Sequence, residues 1–233
     1  MLPGELFQRP TSVILCGSDG PLLDWVVFAL ASRAPGGYYW TDVRLEGQPA
    51  DTGGPLGRRA VPEDRLSVVS PQELTTNDAL ANAAITGGLR PEERLSEIER
   101  LADFLRLPSH TQALIATQRT SGEPAVLVLS NAQRLAPLYP ADTVPPVLRA
   151  MVAAGVSVVL VFADAAPKAR VEFENVWHLD SAELSRWHEA VLRIEKANTR
   201  PPLSTGSKVS LRDLPAVAET LQGVVDSRRA PRR

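Results

Sequence analysis

A chain of 233 residues with 44% apolar and 22% charged side chains can bury a full core as one domain. Its formal net charge of −2 excludes a general electrostatic attraction to nucleic acid or anionic lipid. One cysteine, Cys16, leaves no internal disulfide. No apolar run approaches the ~18 residues of a membrane span, and the first ten residues lack the basic start and apolar stretch of a signal peptide. A reducing cytoplasm is therefore the expected compartment. The only lysines are Lys168, Lys196 and Lys208, and arginine supplies the rest of the positive charge.

Residues 11–16 (TSVILC) form a short apolar, β-branched run that ends at Gly17-Ser18-Asp19-Gly20, a buried strand entering a turn. Residues 21–33 follow as a helix with proline in its first turn and Leu22, Trp25, Val26, Ala29 and Leu30 on one face. Gly36 and Gly37 break it, and 38–45 alternate as a second strand. The stretch 48–64, rich in Gly, Pro and charge, is predicted to be a mobile surface loop, with a short strand after it at 66–69. Capping boxes at 70–73 and 109–112, and helical spacing over 91–107, predict helices.

Two fully apolar runs, 125–129 and 156–162, flank a helix predicted at 144–154. That order is the βαβ signature of a parallel sheet covered on both faces. A further strand is predicted at 175–179, with Asp180 or Ser181 as a helix cap. The last third changes character. An antiparallel pair, 190–196 and 206–211, precedes a final helix at 213–225. Residues 1–226 are thus read as one domain with a loop and helical insert at 48–118, and 227–233 as a basic disordered tail.

This order resembles the core of the RecA/KaiC P-loop ATPases. Residues 12–20 (SVILCGSDG) resemble the first strand and the opening of the phosphate loop, and 38–46 the second strand, which in that family ends in an acidic residue, here Glu46. Residues 126–134 (VLVLSNAQR) resemble the Walker B strand, 155–162 the next strand, and 191–211 the closing hairpin, with Lys196 and Arg200 in place of its Lys-x-Arg. The resemblance implies an α/β fold: a RecA-like, doubly wound, mainly parallel central sheet with an antiparallel C-terminal hairpin.

The chemistry of that family does not carry over. A working phosphate loop needs glycines that let backbone N–H groups face phosphate, a lysine for the β/γ charge and a hydroxyl for Mg²⁺. With Gly17 and Gly20 at the first and inner glycines, Leu22 falls at the last glycine, Leu23 at the lysine and Asp24 at the Ser/Thr. The Walker B aspartate maps to Ser130. Nucleotide hydrolysis is therefore not expected, and no catalytic residue, metal site or cofactor is assigned. Gly17, Ser18, Asp19 and Gly20 keep the residual phosphate-loop position; they form either an anion-binding nest or simply a tight strand-to-helix turn.

The remaining conspicuous residues have plain readings beside functional ones. Cys16 reads as a small buried apolar residue, since no cationic neighbour marks it as a reactive thiol. His110, His178 and His188 lie too far apart in sequence for a metal site. No G-x-S-x-G elbow surrounds Ser130. Trp177, His178, Trp187 and His188 suit core packing or a protein contact better than stacking on nucleic acid. Arg228, Arg229, Arg232 and Arg233 read as a solvated tail.

Three functions stay open. The leading one is a non-catalytic module, regulatory or structural, that binds another protein, either a RecA-fold ATPase or a second copy of itself. Cell-division inhibitors of the SulA type resemble this: they are RecA-like, lack nucleotide motifs and act by binding. An arginine such as Arg200 would then be placed to reach a partner's site. The alternative is an ATP-binding protein or ATPase with a divergent loop, Mg²⁺, and a lysine from elsewhere, Lys168 or Lys196. The third, a DNA-binding accessory of recombination or repair, needs a basic patch that the net charge does not support.

Overall fold

The computed structural model describes residues 7, 10–45, 47–49, 53–70, 122–135, 156–163, 173–180, 183–197 and 206–229. The helices predicted within 71–118 and at 144–154 lie outside these residues, as do Glu46, His110, Lys168, Arg200, Arg232 and Arg233.

Eight strands build one sheet: β1 (Ser12–Gly17), β2 (Tyr38–Val43), β3 (Leu66–Val69), β4 (Val126–Ser130), β5 (Ser157–Phe162), β6 (Asn175–Asp180), β7 (Val191–Lys196) and β8 (Lys208–Ser210). Their spatial order is β3-β2-β4-β5-β1-β6-β7-β8. The first six run parallel, and β7 and β8 close the sheet in antiparallel register. The fold is thus α/β, mainly parallel with an antiparallel C-terminal pair, as the chain order predicts. The apolar runs of β1, β4 and β5 occupy the middle of the sheet, where every residue is buried. Central parallel strands lose water from both faces, so they need continuous rather than alternating apolar sequence.

Helix α1 (Gly20–Ala31) packs on one face of this sheet against Val13 and Leu15 of β1, Val128 of β4, and Trp177 and Leu179 of β6. The sequence assigns it a single apolar face, but Leu23, Val27 and Ala31 are buried as well. Its outer side is covered too. Helix α2 (Pro215–Arg229) runs alongside with Ala216, Val217, Leu221, Val224 and Val225 inward, and Arg33 pairs with Glu219 across the two helices.

Three boundaries differ from the sequence reading. The loop expected to be mobile is anchored over 53–61: Gly54, Pro55 and Val61 are buried, and the Trp25 indole N–H donates to the Gly53 carbonyl at 3.0 Å. Asp180 ends β6, and Ser181, the other cap candidate, lies outside the described residues; the short 3₁₀ segment Leu184–Glu189 starts after Glu183 with no side-chain cap. Helix α2 continues through Ser227, Arg228 and Arg229, which the composition had assigned to a disordered tail. The last turn holds because Ser227 donates to the Val224 carbonyl and Arg228 to the Gly53 carbonyl, while cations at a helix C-terminus meet a favourable dipole.

Candidate functional site

In open α/β sheets ligands sit beyond the carboxyl ends of the strands, at points where neighbouring connections diverge. Two such places carry the residues singled out in the sequence. The first is the β1–α1 junction. Only Ser18 and Asp19 separate the strand from the helix. Asp19 is the N-cap: its backbone is extended, its Oδ1 accepts the Leu22 N–H at 3.1 Å, and its carbonyl accepts the Leu23 N–H at 3.0 Å. Pro21 has no N–H to offer. The helix N-terminus, the part of the fold best suited to an anion, therefore already holds a carboxylate of this chain.

Gly17 and Gly20, the two glycines aligned with a phosphate loop, both keep negative φ, so neither provides the left-handed residue of a nest. They differ in what surrounds them. A Cβ at Gly17 would stand 2.7 Å from the Leu179 carbonyl oxygen of the neighbouring strand, whereas one at Gly20 would meet nothing within 4 Å. Gly17→Ala is accordingly expected to cost about 1–3 kcal/mol through overpacking against backbone. Gly20→Ala, at the first helical position, should be neutral or stabilise by up to about 1 kcal/mol. Urea denaturation of both variants checks this; equal losses at the two positions would contradict it.

The positions that match the rest of a phosphate loop point inward. Leu22 and Leu23 are fully buried in the core, and Asp24 is buried beneath the loop at Gly54, its Oδ2 3.5 Å from where a Gly54 Cβ would stand.

The second place lies between β2 and β4. The chain leaves β2 towards the edge strand β3 and leaves β4 the other way, towards β5, so the connections diverge here. Asp42 and Ser130 are register partners at the carboxyl ends of these strands, and both are buried. Ser130 Oγ accepts the Trp40 indole N–H at 2.9 Å and donates to Asp42 Oδ1 at 3.2 Å. Asn131 Nδ2 donates to the same oxygen at 2.6 Å, and Arg44 Nε to Asp42 Oδ2. Asn131 has φ +57°, the left-handed region that asparagine tolerates better than most residues. Arg134 closes the cluster by donating to the Val43 carbonyl at 3.0 Å.

This network occupies the place that the resemblance in sequence gives to a Walker B acid. The apolar lead-in of β4 is intact, but the acid sits one strand away, on β2, and a serine bridges it to Trp40. With three donors on its two oxygens and almost no solvent contact, Asp42 is engaged as a buried staple. Sequence reading missed it. Asp42 stands in an alternating strand and looks like a solvent-facing residue; its only signal was a charge in a segment whose two faces both proved buried.

The other candidates separate. Trp177 and Trp187 are buried in the α1-side core, while His178 points to the opposite face and pairs with Asp180 at 3.1 Å. Asp180 in turn lies 3.9 Å from Arg193 of β7. His188 touches Trp187 edge-on and sits 3.7 Å from Glu189. The four aromatic residues thus form no single surface. Cys16 is fully buried, its thiol donating to the Trp177 carbonyl at 3.4 Å. Among the described residues no group of three or more His, Cys, Asp or Glu is placed to hold a metal ion, and no helix is long and apolar enough to cross a membrane.

No family model and no curated protein matches the chain. Among solved structures it is similar to a prototypical ATPase from the type III secretion system of pathogenic bacteria, with 12% sequence identity and a TM-score of 0.40. That similarity covers 97% of this chain, which spans only 66% of the ATPase chain. A likeness this loose decides neither activity nor partners, and the fold description rests on the strand order and register above.

Proposed function

We propose that this protein is a RecA/KaiC-like domain without nucleotide chemistry, which acts by binding another protein in a regulatory or structural role. The observation that carries the reading is the Asp19 carboxylate on the Leu22 N–H, in a turn of two residues, where a phosphate would have to lie. A nucleotide would meet that negative charge with no lysine at the matching position, since Leu23 is in the core. Ser130, in the place of the Mg²⁺-holding acid, is committed to Trp40 and Asp42. A sheet kept intact around a filled site leaves its surfaces as the property under selection. The partner is a protein, of RecA fold or a second copy of this chain.

Titration with ATP and ADP, with and without Mg²⁺, tests the reading by calorimetry and thermal shift. A ligand at 100 times its Kd adds about 2.7 kcal/mol of stability, or roughly 5–10 °C in a chain of this size. No shift is expected at millimolar nucleotide. Mg²⁺-dependent binding would overturn the proposal in favour of an atypical ATP-binding protein whose lysine comes from elsewhere, with Lys196 and Lys168 the first to replace.

A further inference from the structure

The segment 53–61 and the last turn of α2, distant in sequence, meet beside α1 and bring Arg58 and Arg228 together, each followed in the chain by a second exposed arginine, Arg59 and Arg229. The meeting is fixed by hydrogen bonds. Arg58 Nη1 donates to Ser227 Oγ at 3.2 Å, and Arg228 Nη2 to the Gly53 carbonyl at 3.0 Å, the same oxygen that holds Trp25. Arg59 adopts φ +53°, uncommon for a residue with a side chain. None of the four forms an ion pair with a carboxylate among the described residues, and the nearby Asp226 accepts from Gln222 instead. Burial, and then the Arg228 charge, lower the Arg58 pKa below its ordinary value.

The dipole of α2 accounts for two of these cations, Arg228 and Arg229. It does not account for Arg58, which a separate loop brings up to Arg228 against like-charge repulsion, with Arg59 next in the chain. We infer that this cluster is a docking surface for an acidic, Asp/Glu-rich segment of a protein partner. Guanidinium groups tethered through one nitrogen keep further N–H donors for bidentate carboxylates. A polynucleotide fits less well: the neighbouring aromatic, Trp25, is buried and offers no stacking face, and the chain as a whole is negative. A lipid surface would hold these arginines by charge alone, because the large exposed apolar side chains among the described residues, Leu45 and Val68, belong to the β2–β3 edge and cannot insert beside them.

The inference rests on the reading of the chain as a protein-binding domain and supplies the chemistry of the partner. Fluorescence anisotropy at low salt with the full chain tests it, using a labelled oligoglutamate peptide, a labelled oligothymidylate of equal charge and phosphatidylserine vesicles. The peptide is expected to bind best and to be released by added salt. Arg59→Ala/Arg229→Ala removes two cations that make no hydrogen bond to the fold; it should weaken peptide binding ~10-fold or more while the melting temperature falls by no more than about 4 °C, the share that Arg229 owes to the helix dipole. Equal peptide affinity in wild type and variant overturns the inference, as does tighter binding of the oligothymidylate or the vesicles. Such a failure leaves the nucleotide titration unaffected, so the two readings fall separately.

Discussion

Leu23→Lys, which puts a lysine at the position matching that of a working phosphate loop, is expected to destabilise the protein severely without creating nucleotide binding. Leu23 is completely buried and belongs to the core cluster that α1 shares with β1 and β6. The substitution forfeits about 1.5–3 kcal/mol of apolar burial. It also asks an ammonium group either to stay charged in the core, at several kcal/mol, or to lose its proton and remain a buried donor. Together these reach about 5 kcal/mol or more, the lower end of the whole stability of a domain. In a chain of this length that corresponds to a fall of roughly 10–20 °C in melting temperature. Leu23→Met, which keeps the volume, should cost less than about 1.5 kcal/mol and serves as the control. Thermal melts of both variants, with and without Mg²⁺-ATP, decide it. A stable Leu23→Lys protein that gained ATP binding would mean that the side chain reaches solvent at the β1–α1 turn, and the core assignment of this helix face would be wrong.

What the sequence conveyed well was whatever depends on continuous or alternating apolar pattern. The runs that became β1, β4 and β5 fell within a residue or two of their observed bounds, because a central parallel strand must be apolar throughout, and β6 was bounded as closely although it carries Asn175, His178 and Asp180. The change to an antiparallel pair at the end was also legible, through the polar, proline-rich link between two short runs. Less legible was anything set by a neighbour distant in sequence. The outer face of α1 is buried only because α2 lies on it, and 53–61 is held only because Trp25, Arg58 and Arg228 meet it. A composition rich in Gly, Pro and charge describes a loop without saying what it touches. The same limit hid Asp42, whose partners Ser130 and Asn131 are 88 and 89 positions away. At the β1–α1 junction both readings of Gly17 to Gly20 fit the residue types; the tight turn with an internal cap is what Asp19 adopts.

An acid placed at Ser130, at the end of β4, has a different expected outcome, a new dependence on pH. In Ser130→Asp the new carboxyl takes the place of a hydroxyl that now stands 3.2 Å from Asp42 Oδ1, in a site with no solvent contact. Burial and the adjacent carboxylate both favour the protonated form of the new group, and such settings raise a carboxyl by roughly 3 units or more above its usual ~3.9. The Trp40 indole N–H, 2.9 Å from the present hydroxyl, opposes this with one hydrogen bond to the charged form, about 1.5–3 kcal/mol. Desolvation together with the second charge is the larger effect. The sign follows from proton counts. A group whose folded pKa is raised binds more protons in the folded state, so its protein is most stable below the unfolded pKa and loses stability as pH rises through the folded one. Three units correspond to about 4 kcal/mol lost by the top of that window. Urea denaturation from pH 4 to 8, compared with wild type and with the uncharged Ser130→Asn, reads this directly. The Asp variant should approach the Asn variant at the acid end and fall away from it towards neutrality. Parallel curves for the two variants would mean that the Arg44 guanidinium, already paired with Asp42, or entering water keeps the new carboxyl ionised, and the dominance of desolvation at this site would be wrong.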